Sequence, residues 1–231
     1  MTYPHILRTL KSYYTPENVA GLARFGIVTK KVYGVPAPAL RKLAKQIGRD
    51  HDLARRLWAT GILDARTLAA LIDDPAQVTE EQMESWVAEF DNWAICDGCC
   101  SNLFDRTPFA NRKAVEWSAR KEEYVKRAAF SLMAALAVHD KQASDAAFRR
   151  FLPLIERASD DDRNFVKKAV NWALRQIGKR NLALNAKAIA AAERVRARGT
   201  RTARWIAADA LRELRSEAVQ KRLRAKSRAR T

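Results

Sequence analysis

Trp93 and Asp97 stand four residues apart, a spacing that puts an indole and a carboxylate on one face of a helix. Such a pair is most often a core tryptophan beside a surface or capping aspartate. It can also form a site in which a carboxylate faces a developing cation while an electron-rich ring excludes water. Other chemistry finds less support. His5, His51 and His139 lie far apart in the chain, and no Gly-rich phosphate loop, HExxH, GxSxG or paired CxxC occurs. Cys96, Cys99 and Cys100 crowd one segment and could be read as a redox or metal motif, but a zinc site needs about four ligands and no second cluster follows. Small buried hydrophobes on a helix are their better reading. An odd number of cysteines in one short stretch is no secreted disulfide framework and points to a reducing cytoplasm.

The elements that must hold these residues read as helices. The 231 residues contain 8 Gly and 7 Pro, and Ala, Leu, Arg, Lys and Glu recur with apolar residues at three- and four-residue intervals. Thr15 before Pro16 and Thr107 before Pro108 place capping side chains ahead of a first-turn proline, and Thr79 with Gln82 makes a capping box. Asp160 to Asp162 mark a further start, and bends are expected at Gly34-Val35-Pro36, Gly61, Gly178 and Gly199. The N-terminal stretch breaks every apolar run with Arg, Lys or Tyr, so it reads as neither a signal peptide nor a membrane span.

Aligned with itself, the chain repeats: VKRAAFSLMAAL from Val125, VKKAVNWALRQI from Val166 and ARWIAADALREL from Ala203, at offsets of 41 and 37 residues. That period predicts paired helices of the HEAT kind, an all-α fold in which antiparallel helix pairs stack into a curved solenoid. Lys126, Lys167 and Arg204 share one repeat position, so successive repeats should carry cations along one side. With 43 Lys and Arg against 26 Asp and Glu, the formal charge is +17, and nucleic acid is the first partner to consider. An acidic membrane surface, a solvated charged face or a solubility tail are the alternatives. Beyond Leu214 the segment ending KRLRAKSRART is a basic tail that composition reads as flexible, giving a domain over 1–214 and a tail over 215–231.

Within that frame the chain resembles a known family. NWAICD at Asn92 to Asp97, YVKRAA at Tyr124 to Ala129, FVKKAVNWALRQIGK at Phe165 to Lys179 and YGVPAPALRKLAK at Tyr33 to Lys45 are similar to segments of the AlkD-type DNA alkylation repair glycosylases, in family order and over most of the chain to about Leu214. The resemblance implies a HEAT-like enzyme that excises cationic alkylated purines of the N3-methyladenine and N7-methylguanine type from double-stranded DNA without a metal or organic cofactor. It also implies recognition from the sugar–phosphate side rather than through a deep base pocket. Carried over by position, Asp97 falls on the catalytic aspartate, Trp93 and Trp172 on the two indoles flanking the reacting deoxyribose, and Arg127 on an arginine steadying the backbone beside the lesion. Lys126, Lys167, Lys168 and Arg204 are the expected phosphate contacts. Relatives of this kind carry Trp before and Asp after the first site tryptophan, where this chain has Asn92 and Ala94, and Phe25 stands where a site tyrosine is common.

The expected protein is therefore a monomeric, cytoplasmic, nucleoid-associated glycosylase that needs no obligatory protein partner and no membrane. Two other readings stand beside it. One is a non-catalytic HEAT-like protein that binds damaged or branched nucleic acid through its phosphates, and Asp97 is the residue that separates it from the enzyme. The other is a protein-binding scaffold, which predicts a less basic face and no salt-sensitive DNA affinity.

Overall fold

A computed structural model describes residues 1–228, and among them every regular element is helical. The helices divide into two compact units, the first ending at Pro108 and the second beginning at Phe109, within the 1–214 span that sequence reads as one domain.

The first unit runs α1 (Tyr3–Lys11), α2 (Pro16–Ala23), α3 (Ala37–Ile47), α4 (His51–Trp58), α5 (Leu63–Ile72), α6 (Glu80–Ala88) and α7 (Trp93–Asn102), followed by a 3₁₀ turn at Phe104–Arg106. Its hub is α5, which packs on α1, α3, α4 and α7 and buries Leu63, Ala65, Leu68, Ala69, Ala70 and Ile72. One buried group on α5 is a carboxylate. Asp64 accepts hydrogen bonds from the Tyr33 and Val35 backbone N–H groups at 2.6 and 2.8 Å, so its charge is matched by two donors of the segment leading into α3. Gly34 between those donors has φ 76°, and a Cβ there would lie 2.8 Å from the Asn18 Cβ, so the turn needs glycine for both conformation and space. Trp58 and Trp86 stack with centroids 3.9 Å apart, and Phe90 and Phe104 close the aromatic core.

The second unit runs α8 (Ala110–Ser118), α9 (Glu123–His139), α10 (Asp145–Arg149), α11 (Leu152–Ala158), α12 (Asn164–Gly178), α13 (Leu182–Ala197), α14 (Arg201–Leu214) and α15 (Glu217–Arg228). Here the repeat read from sequence is visible. Helices α9, α12 and α14 pack side by side as equivalents, and α8, α11 and α13 back them as the second members of each pair. Polar rungs cross from the α11–α12 pair to the α13–α14 pair at a spacing of 38 residues. Asn171 donates to Asp209 and Arg175 to Glu213 on the α12–α14 row. Arg194 donates to Glu156 and Arg198 to Asp160 on the α11–α13 row. Gly178 ends α12, so the chain turns there as expected, and it also lies under Leu214, whose side chain would lie 2.6 Å from a Cβ, a point of close helix approach.

Several local expectations shift. Thr15 and Thr79 do cap α2 and α6, accepting from the Asn18 and Gln82 N–H groups. The capping box is only half made, however, because the Gln82 side chain donates to Asp73 at 2.7 Å. Thr107 caps nothing. Its hydroxyl donates to the Phe104 carbonyl and closes the 3₁₀ turn, and α8 begins two residues after Pro108. The aspartates at 160–162 precede α12 without capping it, since Asp160 pairs with Arg198 and Asp161 with Arg163 and Lys126.

The basic tail differs most. Instead of a flexible segment, residues 217–228 form α15, which buries Val219 and Leu223 and packs on α13 and α14. Gln220 fixes it by donating to Asn185 Oδ1 and to the Leu214 carbonyl at 3.0 and 2.7 Å. The apolar pair one turn apart gives this charged stretch a face to bury, a signal that its composition masks. The last three residues of the expected tail lie outside the described residues. Among the described residues no helix is long and apolar enough to cross a membrane.

Candidate functional site

Helix α7 divides cleanly into two stripes. Ile95, Cys96, Cys99 and Cys100 are buried, whereas Trp93, Ala94, Asp97 and Gly98 are half-buried along the other side. The inward thiols are the small hydrophobes expected from sequence, unbridged, and burial pushes the Cys99 and Cys100 thiols well above the ordinary range. The outward stripe carries the indole and carboxylate one helical turn apart. Gly98 beside Asp97 keeps this side low, since a Cβ there would meet nothing within 4 Å.

Two contacts fix the start of α7. Asn92 is buried and caps the helix, its Oδ1 accepting from the Ala94 and Ile95 N–H groups at 3.0 and 3.2 Å. The residue before Trp93 thus has a structural duty at the position where the resemblance implies an aromatic ring. The Trp93 indole N–H donates to the Phe25 carbonyl at 2.8 Å, which sets the ring's direction. Sequence reading places Phe25 at the site for its side chain. The structure leaves that ring 67% exposed and engages the backbone carbonyl, a contact that no side-chain pattern could reveal.

The remaining expected residues belong to the second unit and differ among themselves. Trp172 is half-buried on α12. Arg127 is 6% exposed, and its guanidinium donates to the Phe165 carbonyl at 2.5 Å, tying α9 to the start of α12. Lys126 pairs with Asp161 at 2.9 Å, so the repeat position it shares with Lys167 and Arg204 does not give it the same environment. Lys167 is half-buried, Lys168 and Arg204 are exposed, and none of the three pairs with a carboxylate among the described residues. Sequence reading passes over two neighbours of these cations: Arg201 on the first turn of α14, and Trp205, an exposed indole with Lys167 Nζ 5.8 Å from its ring centroid.

Asp161 stands out electrostatically. Burial raises its pKa, but hydrogen bonds and charge from Arg163 and Lys126 outweigh that effect and hold its carboxyl down at about 2. Asp73 moves the opposite way. Burial raises its pKa despite hydrogen bonds from His51 and Gln82. Among the described residues no three His, Cys, Asp or Glu side chains come together as a metal ion would require.

Residues 6–214 match the family of DNA alkylation repair enzymes, and the chain belongs to that family. Its fold is that of the HEAT-like repeat DNA glycosylase relatives. The chain superposes with a TM-score of 0.75 at 22% identity, over 84% of this chain and 83% of the other, on a protein described as "a new family of proteins related to the HEAT-like repeat DNA glycosylases with affinity for branched DNA structures". A designed armadillo repeat protein in complex with peptide (KR)4 aligns at a TM-score of 0.37 and 17% identity, over 83% of this chain and 91% of that one, too distant to bear on the fold. No curated protein matches the chain.

Proposed function

We propose that this family member is a monofunctional DNA glycosylase that hydrolyses the N-glycosidic bond of cationic alkylated purines in double-stranded DNA and leaves an abasic site. The observation that carries this reading is the outward stripe of α7. It presents an accessible carboxylate one turn from an indole whose direction is set by the Phe25 carbonyl. A carboxylate on a DNA-binding surface repels phosphate, so its presence there calls for a task that needs negative charge. Stabilising an oxocarbenium-like deoxyribose is such a task.

The chemistry balances without a general acid. Alkylation at a purine ring nitrogen places positive charge on the leaving group, so the C1′–N bond breaks with its electron pair going to the purine, which departs neutral. Asp97 faces the sugar cation that remains and orients the attacking water, whose oxygen adds to C1′ and whose proton passes to the Asp97 carboxylate and from there to solvent. Trp93 lies along the sugar's polarised C–H groups and excludes bulk water. Trp172 and Arg127 are assigned to sugar and backbone contact on the family resemblance. Lys167, Lys168 and Arg204 are assigned to phosphate because each stands without a carboxylate partner among the described residues. The ion pair of Lys126 with Asp161 makes it the weakest of the cations assigned to DNA.

The experiment is single-turnover release of free base from N7-methylguanine duplex by the wild type and by Asp97→Asn, measured beside thermal stability and DNA affinity. The Asn variant should stay folded, bind undamaged duplex as well or better, and lose about a hundredfold or more in rate. A folded variant that excises at the wild-type rate would remove Asp97 from the reaction. Should the wild type itself release no base yet bind DNA, the protein is a non-catalytic binder. That second reading is favoured by the fold it shares with a protein described as having affinity for branched DNA, and by the departures at Asn92, Ala94 and Phe25.

A further inference from the structure

We infer that the second unit carries a site for unpaired DNA, in which a nucleobase stacks on Trp205 while neighbouring phosphates are held by Lys167 and Arg201. The inference rests on the phosphate role proposed for Lys167, adds a base-stacking contact beside it, and does not depend on base excision.

An indole 42% exposed is unusual, because a tryptophan left in water forfeits more apolar burial than any other side chain. Trp205 is not a stray surface residue. It lies at the head of the α12–α14 row, where the 38-residue spacing that pairs Asn171 with Asp209 and Arg175 with Glu213 also sets Lys167 beside it. Below this point the rungs are closed by carboxylates. At the head the rung is an ammonium 5.8 Å from a ring centroid, and no carboxylate pairs with Lys167 or Arg201 among the described residues. The two residues and Trp205, with Thr202 and Asp162, line a cavity of about 480 Å³.

The chemistry of that cavity fits a nucleic-acid strand more closely than a small anion. Lys167 and Arg201 supply positive charge, and the first turns of the equivalent helices α12 and α14 add the positive ends of two helix dipoles. The indole supplies a flat π surface that any base can cover, and a cation at its edge strengthens stacking. Asp162 also lines the cavity and disfavours a phosphate dianion filling the space alone, whereas a strand's diester phosphate carries a single charge and can stay on the Lys167 and Arg201 side. A base paired within a duplex cannot turn its face to Trp205, so the site selects strands that are already open.

The test is fluorescence anisotropy with a labelled short oligothymidylate and, in parallel, a fully paired duplex, using the full chain. Trp205→Ala should weaken oligothymidylate binding about tenfold and duplex binding less than about twofold, while Trp205→Phe keeps most of the affinity because it keeps a stacking face. Lys167→Gln with Arg201→Gln should flatten the dependence of single-strand affinity on salt by roughly two released counterions at ~0.7 each. Since Trp205 is exposed, its variants should melt with the wild type, and the affinities can be compared directly. Unchanged oligothymidylate affinity in Trp205→Ala would overturn the inference. So would an equal loss on the paired duplex, which would make Trp205 a general backbone contact. Base release from methylated duplex stays as a separate readout, so failure here leaves the glycosylase reading intact and failure there leaves this one intact.

Discussion

The two units solve different problems with the same kind of element. In the second, equivalent helices stand in register and their polar groups meet at a constant spacing, so that Asn171–Asp209, Arg175–Glu213, Glu156–Arg194 and Asp160–Arg198 all lie 38 residues apart. In the first, no such rungs are needed to organise the chain. Its helices gather round α5, and single buried groups do the organising: Asp64 gathers the 33–35 segment, Asn92 starts α7, and the Phe25 carbonyl directs Trp93. Regularity sets the polar groups of successive repeats against one another, whereas irregularity aims individual side chains. The candidate reactive pair accordingly sits in the irregular unit, and the cations assigned to phosphate that pair with no carboxylate among the described residues sit in the regular one.

Substitutions that act on one side of this contrast can break it. The largest effect is expected from Asp97→Asn, which should separate excision from binding. Conversely, a loss of DNA affinity parallel to the loss of rate would mean that α7 serves the binding surface, erasing the distinction. Next comes Asp64→Ala, which strands the Tyr33 and Val35 N–H groups in a buried site and should cost about 2–4 kcal/mol in denaturant unfolding. A cost under about 0.5 kcal/mol, the size of an ordinary surface change, would show that the first unit does not rely on that carboxylate.

Acid offers a smaller and more selective effect on the second unit. The Asp161 carboxyl is held at about 2, below its ordinary value of 3.8, so the folded state binds that proton less readily than the unfolded chain does. Its stabilising share is therefore present above pH 3.8 and is lost as pH falls toward 2, amounting to about 1–2 kcal/mol. Asp161→Asn should remove that part of the stability difference between neutral and acid pH, measured by urea unfolding at a series of pH values. An unaltered acid profile would mean that Lys126 and Arg163 contribute nothing net through it. Smallest of all, Lys168→Gln should lower duplex affinity a few-fold and flatten its salt dependence by about one counterion while leaving single-turnover excision by saturating enzyme unchanged. A salt slope equal to that of the wild type would take Lys168 off the phosphate surface.

Much of this contrast was legible from sequence on the regular side. The offsets of 41 and 37 residues bracket the 38-residue rungs, and the three- and four-residue periodicity gave the helices themselves. The spacing of Trp93 and Asp97 likewise gave their shared stripe on α7. What escaped was decided by partners distant in sequence. Lys126 and Lys167 look equivalent in the repeat, yet one meets Asp161 and the other lies beside Trp205. Thr107 has the sequence of a cap and spends its hydroxyl on the Phe104 carbonyl. The composition of the 215–231 segment hid the Val219–Leu223 pair that folds α15, because two apolar side chains among many charges count for little in an average and for much on one helical face.

The constant spacing of the rungs also bears on how such a chain can lengthen. Inserting one residue into α12 would turn everything beyond it by about 100° about the helix axis, carrying Arg175 off Glu213 and leaving both charges to water. Inserting a whole helix pair outside this junction would do no such harm, since each of these rungs joins only the neighbouring α11–α12 and α13–α14 pairs. Gains and losses of chain in this unit are therefore tolerated in multiples of a helix pair, and a reading-frame-preserving duplication of that length is the natural currency of its growth.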